Sequence, residues 1–219
     1  MGTTMTIAQL YAGFGDLSDP QPEWFAIKTV AHALSDKTRF CGQAKVKGYT
    51  VAQHCVLVSR LFTDRHLALF GLLHELDEVV LPDMPSSLKA APSFAFYREL
   101  CELHMKAGCA HFCLEYPWPT EVKAAIKAAD TILLATEARD VMGGQTFDWE
   151  LGHEPLAERI DVWPAHRAEQ RFLERFAELT GPIPTLATAK AVAREALSGD
   201  RDLREAHEAI LLLLEGAGQ

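Results

Sequence analysis

The sequence predicts an all-α protein. Apolar residues recur at the spacing of a helix face along most of its length, and strand-period alternation is almost absent. Prolines and paired glycines fall between these stretches, at Pro82 and Pro85, at Pro117-Trp118-Pro119 and at Gly143-Gly144.

The lead-in through Trp24 carries Gly13, Gly15, Pro20 and Pro22 and reads as irregular. Residues 25–34 form the first expected helix. A loop over 39–49 follows, marked by Gly42 and Gly48. Thr50 then caps a second helix that runs to about Phe62, with Gln53 three residues on completing a capping-box pattern. The third helix is expected over 66–80, apolar on several sides and so deeply buried. Pro82 and Pro85 end it and open a short turn through Lys89. Two longer helices are expected over 94–114 and 119–142. The stretch 145–164 reads as a loop that Trp149 and Trp163 can pin down. Helix returns over 165–179 and 187–214, with an interruption near Gly199-Asp200. This divides the chain into a main domain over 1–180 and a C-terminal helical extension over 181–219 that packs on it or forms an oligomer contact.

Composition bounds the function. The 219 residues are 48% apolar and 23% charged, which suits one globular domain with a terminal addition. The longest apolar runs are too short to span a bilayer, and no basic segment precedes an apolar core at the N-terminus. A cytoplasmic protein without a membrane partner is expected. The formal net charge of −9 argues against a nucleic-acid duplex, whose binding needs many phosphate contacts from Lys and Arg. It leaves room for a small anionic substrate, because a bound metal can reverse the sign inside one pocket. The cysteines Cys41, Cys55, Cys101, Cys109 and Cys113 show no CxxC pair and read as reduced thiols. Cys109 and Cys113, four apart on an expected helix, leave a metal or redox role open.

Histidines and carboxylates carry the chemistry. His54 lies early on the second helix, and His74-Glu75 interrupts the apolar third one, in Gly71-Leu-Leu-His-Glu-Leu-Asp-Glu78. A charged pair there is costly unless compensated. A divalent cation compensates it, and imidazole with carboxylate suits Mn, Fe, Co, Ni or Zn. Glu78, four residues from His74, is expected on the same helix face, able to take a proton from water. Asp130 offers another carboxylate from a different helix. Taken singly, a buried histidine is more often a satisfied core residue, and Glu75, Asp77 and Glu78 could form a solvated helix end. A zinc-protease motif fails because Glu78 stands where a second histidine is required.

The order His54, His74-Glu75, Asp130 resembles the HD superfamily of metal-dependent phosphohydrolases, whose pattern is a histidine, a His-Asp doublet and a distant aspartate. Tyr49-Thr-Val-Ala-Gln-His54 is similar to the family's first-histidine segment. Leu72-Leu-His-Glu-Leu-Asp-Glu78 and Leu81-Pro-Asp-Met-Pro-Ser-Ser-Leu-Lys89 are similar to the doublet helix and the turn after it. Lys127-Ala-Ala-Asp130 with Leu134-Ala-Thr-Glu-Ala-Arg139 is similar to the helix of the last ligand. The resemblance covers roughly residues 6–180. It points to the branch of 5′-deoxynucleotidases and phage-type deoxynucleoside triphosphate hydrolases.

The resemblance implies an HD-type helical bundle with extra C-terminal helices, holding a divalent ion (Mn, Co, Zn, Fe, Ni or Mg) through His54, His74, Glu75 and Asp130. It implies that Glu78 positions the attacking water and that Asp83 supports that water or contacts the sugar. Arg39 falls where similar enzymes place a phosphate-binding arginine, Phe40 where an aromatic guards the sugar's 2′ edge, and Lys89 is a second phosphate candidate. The implied activity is hydrolysis of nucleotides, deoxynucleoside monophosphates first and triphosphates second. One departure stands out. Glu75 replaces the doublet's aspartate, and its extra methylene displaces the carboxylate relative to a backbone fixed by packing. A scaffold without metal, binding a nucleotide or partner, is the rival reading. The C-terminal helices leave a homodimer open.

Overall fold

The computed structural model describes residues 7–10, 13–144 and 152–181. The C-terminal extension expected over 181–219 falls outside the described residues from 182 onward, as does Trp149. The all-α expectation holds across the described residues, with one small exception. The lead-in expected to be irregular contains an antiparallel hairpin of β1 (Ile7–Leu10) and β2 (Gly13–Asp16), with Ile7 opposite Asp16 and Leu10 opposite Gly13. Four-residue strands carry too little alternation to register as a periodic signal.

Seven α-helices follow: α1 (Ile27–Asp36), α2 (Val51–Arg60), α3 (Arg65–Leu72), the single turn α4 (Ser86–Lys89), α5 (Ala95–His111), α6 (Thr120–Asp140) and α7 (Ala165–Thr180). Helix α2 lies at the centre and packs against α1, α3, α6 and α7. It begins where the sequence says it should, with the Thr50 hydroxyl accepting from the Gln53 amide at 3.2 Å. Phe25, Leu34, Val56, Phe70, Leu76 and Phe172 join in one continuous core drawn from most of these elements. No helix among the described residues is long and apolar enough to cross a membrane.

The third helix is a correction. Instead of running to Val80 it ends at Leu72, and the chain turns through His74 and Glu75 into a 3-10 turn over Leu76–Val79. The apolar run hides this break, because burial on all sides removes the periodicity that would mark a helix end. Cys109 and Cys113 likewise share no helix face. Helix α5 stops at His111, Cys113 adopts φ 53°, and buried Cys109 accepts a hydrogen bond from Trp118 Nε1.

The segment 152–164 is irregular, as expected, and well fastened. Arg139 donates to the carbonyls of Leu156 and Glu158, Asp140 accepts from the Ile160 amide, and Thr136 Oγ1 accepts from the Leu156 amide. At its far end Gln53 donates to the Asp161 carbonyl and accepts from the Trp163 amide. Trp163 is buried there, as anticipated.

Gly108 shows how closely α5 approaches the 3-10 turn. Helix propensity alone would favour alanine there by about 1 kcal/mol. An added Cβ, however, would stand 2.9 Å from Leu76 Cδ1 and 3.1 Å from both Leu76 Cβ and Phe25 Cδ1. The Cβ of a fully buried leucine moves only with its backbone, so overpacking wins. Gly108→Ala should lower stability by roughly 1–3 kcal/mol, read as a reduced urea midpoint at unchanged slope.

Candidate metal centre

Three elements bring the cluster together. His54 sits one turn into α2, His74 in the turn after α3, and Asp130 midway along α6. One ligand atom from each lies within 4.8 Å of the others. His54 is fully buried, while His74 and Asp130 are partly so. His54 Nε2 stands 3.1 Å from His74 Nε2 and 3.4 Å from Asp130 Oδ1.

The hydrogen bonds on the far side of each ring fix what these atoms can do. His74 Nδ1 lies 2.8 Å from the Gly71 carbonyl, which only accepts, so Nδ1 carries the hydrogen. His54 Nδ1 lies 2.7 Å from Glu137 Oε1. Despite its burial, Glu137 is held below the usual carboxylate range by the Arg39 guanidinium and by hydrogen bonds from His54 and Tyr49. It therefore accepts, and His54 Nδ1 donates. With both Nδ1 hydrogens committed, two neutral rings would aim lone pairs at each other across 3.1 Å. Something positive must sit between them, a proton or a metal cation. Two nitrogens bonded to one ion at about 2.1 Å each lie about 3.0–3.4 Å apart. The donor set therefore fits a cation.

The surrounding charges support this. Burial and then Arg39 oppose protonation of His54, but Glu137 and Asp130 together raise its pKa. Burial and the neighbouring His54 push His74 down to about 3. Burial would raise Asp130, but the His54 hydrogen bond and the charge on His54 hold it far below its ordinary value. The shifts of the two rings run in opposite directions, so a proton taken up by the cluster goes to His54 before His74.

Glu75 lies at the edge of the cluster. Its Oε1 is 3.4 Å from His74 Nε2, 4.0 Å from His54 Nε2 and 3.7 Å from Arg39 Nη1. Its backbone is not helical (φ −111°, ψ 33°), so the expected displacement by a rigid helix does not apply. In the 3-10 turn, residues three apart eclipse, and Glu78 stacks on Glu75 rather than on His74. The Glu78 amide donates to the Glu75 carbonyl at 3.0 Å. Burial, then Glu75, Asp83 and Asp77, push Glu78 up to about 9. Burial and then Asp77 lift Glu75 to about 7. Glu78 Oε2 is buried without a hydrogen-bond partner. Asp83 is half-buried and contributes charge at Glu78, while its carbonyl accepts from Cys41 Sγ at 3.8 Å.

Arg39 reaches the cluster from the loop after α1. Its amide donates to the Tyr49 carbonyl at 3.0 Å, and a Thr38–Thr50 bridge closes the loop onto the start of α2. Its Nη2 pairs with Glu137 Oε2 at 3.0 Å, and its Nε is buried without a partner. Phe40, Cys41 and Gly42 follow with φ of 57°, 51° and 72°. Two consecutive side chains in this region cost about 1–2 kcal/mol each, and the turn sets the Phe40 ring under the guanidinium, 5.4 Å from its carbon. Lys89 faces elsewhere. It pairs with Asp77 at 3.2 Å and lies over the Tyr97 ring, and none of its described hydrogen bonds or ion pairs reaches the histidines.

Sequence reasoning passed over three residues here: Glu137, Tyr49 and Lys37. Glu137 stands seven residues after Asp130, so both lie on one face of α6, and this spacing was the available signal. Lys37, at the end of α1, donates to the carbonyls of Glu78 and Leu81 and fixes the 3-10 turn. Nothing in its local sequence announces that role.

These features define an all-α protein whose helices hold a His–His–Asp cluster able to take a metal ion. No family model matches the chain. It is 37% identical over 135 residues to an uncharacterized protein of Rhodobacter capsulatus, covering 58% of this chain and 68% of that one. It is 32% identical over 158 residues to the uncharacterized protein YfdR of Escherichia coli K12, covering 70% of this chain and 84% of that one. The chain belongs to the family that these two proteins represent.

The raised carboxyl groups set a sign for pH dependence in metal-free protein. Between pH 7 and 9 folded Glu78 keeps a proton that the unfolded chain has already released near its ordinary value of 4.5. The native state then binds more protons, so its stability falls as pH rises through this window. Below about pH 6.5, lowered His74 works in the opposite direction. The melting temperature in chelator should therefore decline from pH 7 to 9, and Glu78→Gln should flatten that decline.

Proposed function

We propose that this protein is a metal-dependent phosphohydrolase acting on nucleotides, with deoxynucleoside monophosphates as its first substrates and triphosphates as the alternative. The observation that carries the reading is the pair of Nε2 atoms 3.1 Å apart, each with its Nδ1 hydrogen already donated, beside Asp130. A cation-holding cluster with an arginine on one side and an unpartnered carboxyl on another suits attack of water on a phosphoryl group. The resemblance of the residue pattern to the HD superfamily supplies the substrate class.

His54, His74 and Asp130 would hold the ion, with Glu75 close enough to join them or to balance Arg39. A divalent ion supplies Lewis acidity at the phosphoryl group and acidifies water. Glu78 takes the proton at Oε2. Its raised pKa keeps it protonated at neutral pH without a cation, and a cation nearby favours the carboxylate. Arg39 offsets the negative charge that grows on the transferring group, using the Nε that has no partner in the protein. Phe40 flanks the sugar. Asp83 lies beside Glu78, where it supports the water or meets the sugar.

Elemental mass spectrometry of purified protein should find near-stoichiometric transition metal in wild type and none in His74→Ala. With metal present, deoxynucleoside monophosphates should release phosphate. Glu78→Gln should lower kcat by roughly 10²–10⁴, and Arg39→Lys should lower kcat/KM by roughly a hundredfold. Protein that takes up no Mn, Co or Zn would overturn the hydrolase reading in favour of a non-catalytic scaffold. Turnover confined to triphosphates would select the alternative substrate.

A further inference from the structure

Glu137 is fully buried and spends both oxygens on this cluster. Its Oε1 accepts from His54 Nδ1 at 2.7 Å and from the Tyr49 hydroxyl at 2.7 Å, and its Oε2 accepts from Arg39 Nη2 at 3.0 Å. We infer that Glu137 is the positioning residue that sets the His54 tautomer and so decides whether the cluster can hold metal. Arg39 is the reason that only a carboxylate can do this.

The argument is one of donors and acceptors. A neutral imidazole that carries its hydrogen on Nδ1 offers Nε2 as a ligand, and the reverse tautomer covers Nε2 with a hydrogen. His54 Nε2 is the atom that faces His74 and Asp130. Any partner of Nδ1 must therefore accept. A carboxylate accepts on both oxygens and serves His54, Tyr49 and Arg39 at once. A carboxamide has the same shape but one accepting end. A guanidinium has donors only, so in Glu137→Gln the amide oxygen must turn toward Arg39. The NH₂ then faces Tyr49 and His54 Nδ1. The ring responds by accepting at Nδ1 and placing its hydrogen on Nε2, inside the cluster. A near-isosteric change at a residue that touches no metal thus blocks the metal site through its tautomer.

The same logic predicts a rescue. In the double variant Arg39→Met, Glu137→Gln the guanidinium no longer claims the amide oxygen. The carboxamide can turn back, accept from His54 and Tyr49, and restore the bare Nε2. Arg39→Met alone should keep the hydrogen on His54 Nδ1, because Glu137 Oε1 still accepts from the ring. A loss caused by packing would not be repaired by a second substitution, and a loss caused by missing negative charge would leave the hydrogen on His54 Nδ1 in Glu137→Gln.

This inference rests on the metal-centre reading, and two measurements keep them apart. Full-length metal-free protein is titrated with Co²⁺ and with Mn²⁺, and the His54 ring is read by nitrogen-15 NMR at a pH above its titration. Wild type should show hydrogen on Nδ1. Glu137→Gln should show it on Nε2 and bind both ions roughly 10- to 100-fold more weakly. The double variant should recover both properties. An unchanged tautomer in Glu137→Gln, or a double variant as weak as Glu137→Gln alone, overturns the inference. Wild type that binds no ion but shows the tautomer reversal would sink the hydrolase reading and leave the Glu137 assignment standing. A wild-type ring with its hydrogen on Nε2 would overturn the assignment directly, whatever the variants do.

Discussion

The structure around the site is organised by one electrostatic demand: two imidazole nitrogens that face each other need a positive charge between them. His54 comes from α2 and His74 from the turn after α3, and each is committed on its other nitrogen. Packing of α2 against α3 and α6 then holds the rings together. The charges nearby are arranged to suit that demand. Partly buried Asp130 and fully buried Glu137 are both held below the usual carboxylate range, and Arg39 balances Glu137, whose burial unpaired would be expensive. Glu78 escapes the crowd of negative charge by keeping its proton.

The backbone irregularities serve the same cluster. In a continuous helix through residue 80, Glu75 and Glu78 would stand about 60° apart round the axis. The break at Leu73 and the 3-10 turn bring them into register, and Lys37 secures the turn by capping its carbonyls. The left-handed run at Phe40, Cys41 and Gly42 keeps Arg39 against Glu137 with its ring neighbour alongside. Strain of this kind persists only where surrounding contacts over-determine it, and the Thr38–Thr50 bridge and the Arg39–Tyr49 hydrogen bond do so here.

Much of the frame was legible in the sequence because its signals are local. The Thr50 cap, the proline boundaries and the amphipathic α7 each follow from a few adjacent residues. His74 stood out because it and Glu75 interrupt an apolar run, and His54 and Asp130 through their order in the motif. What stayed hidden depends on tertiary contact. The end of α3 is masked by uniform burial, and Lys89 was a candidate for phosphate until the fold set Asp77 beside it. Glu137 read as one acid among several in a mixed helix, since nothing local tells a buried carboxylate from a solvated one. The small hairpin was missed for a simpler reason, that four residues per strand give no period to measure.

The fastening of the irregular segment after α6 has a consequence for the spacing of the ligands. Gln53, the immediate neighbour of His54, ties α2 to the backbone of Asp161 and Trp163. At the other end of the segment Thr136, Arg139 and Asp140 tie the same stretch to α6, the helix of Asp130. The two helices that carry His54 and Asp130 are thus spanned by a strap that contributes no residue to the cluster. It adds to the direct packing of α2 on α6 in fixing the distance between His54 and Asp130. An insertion or deletion in that strap would therefore change the distance between His54 and Asp130 while leaving both side chains untouched.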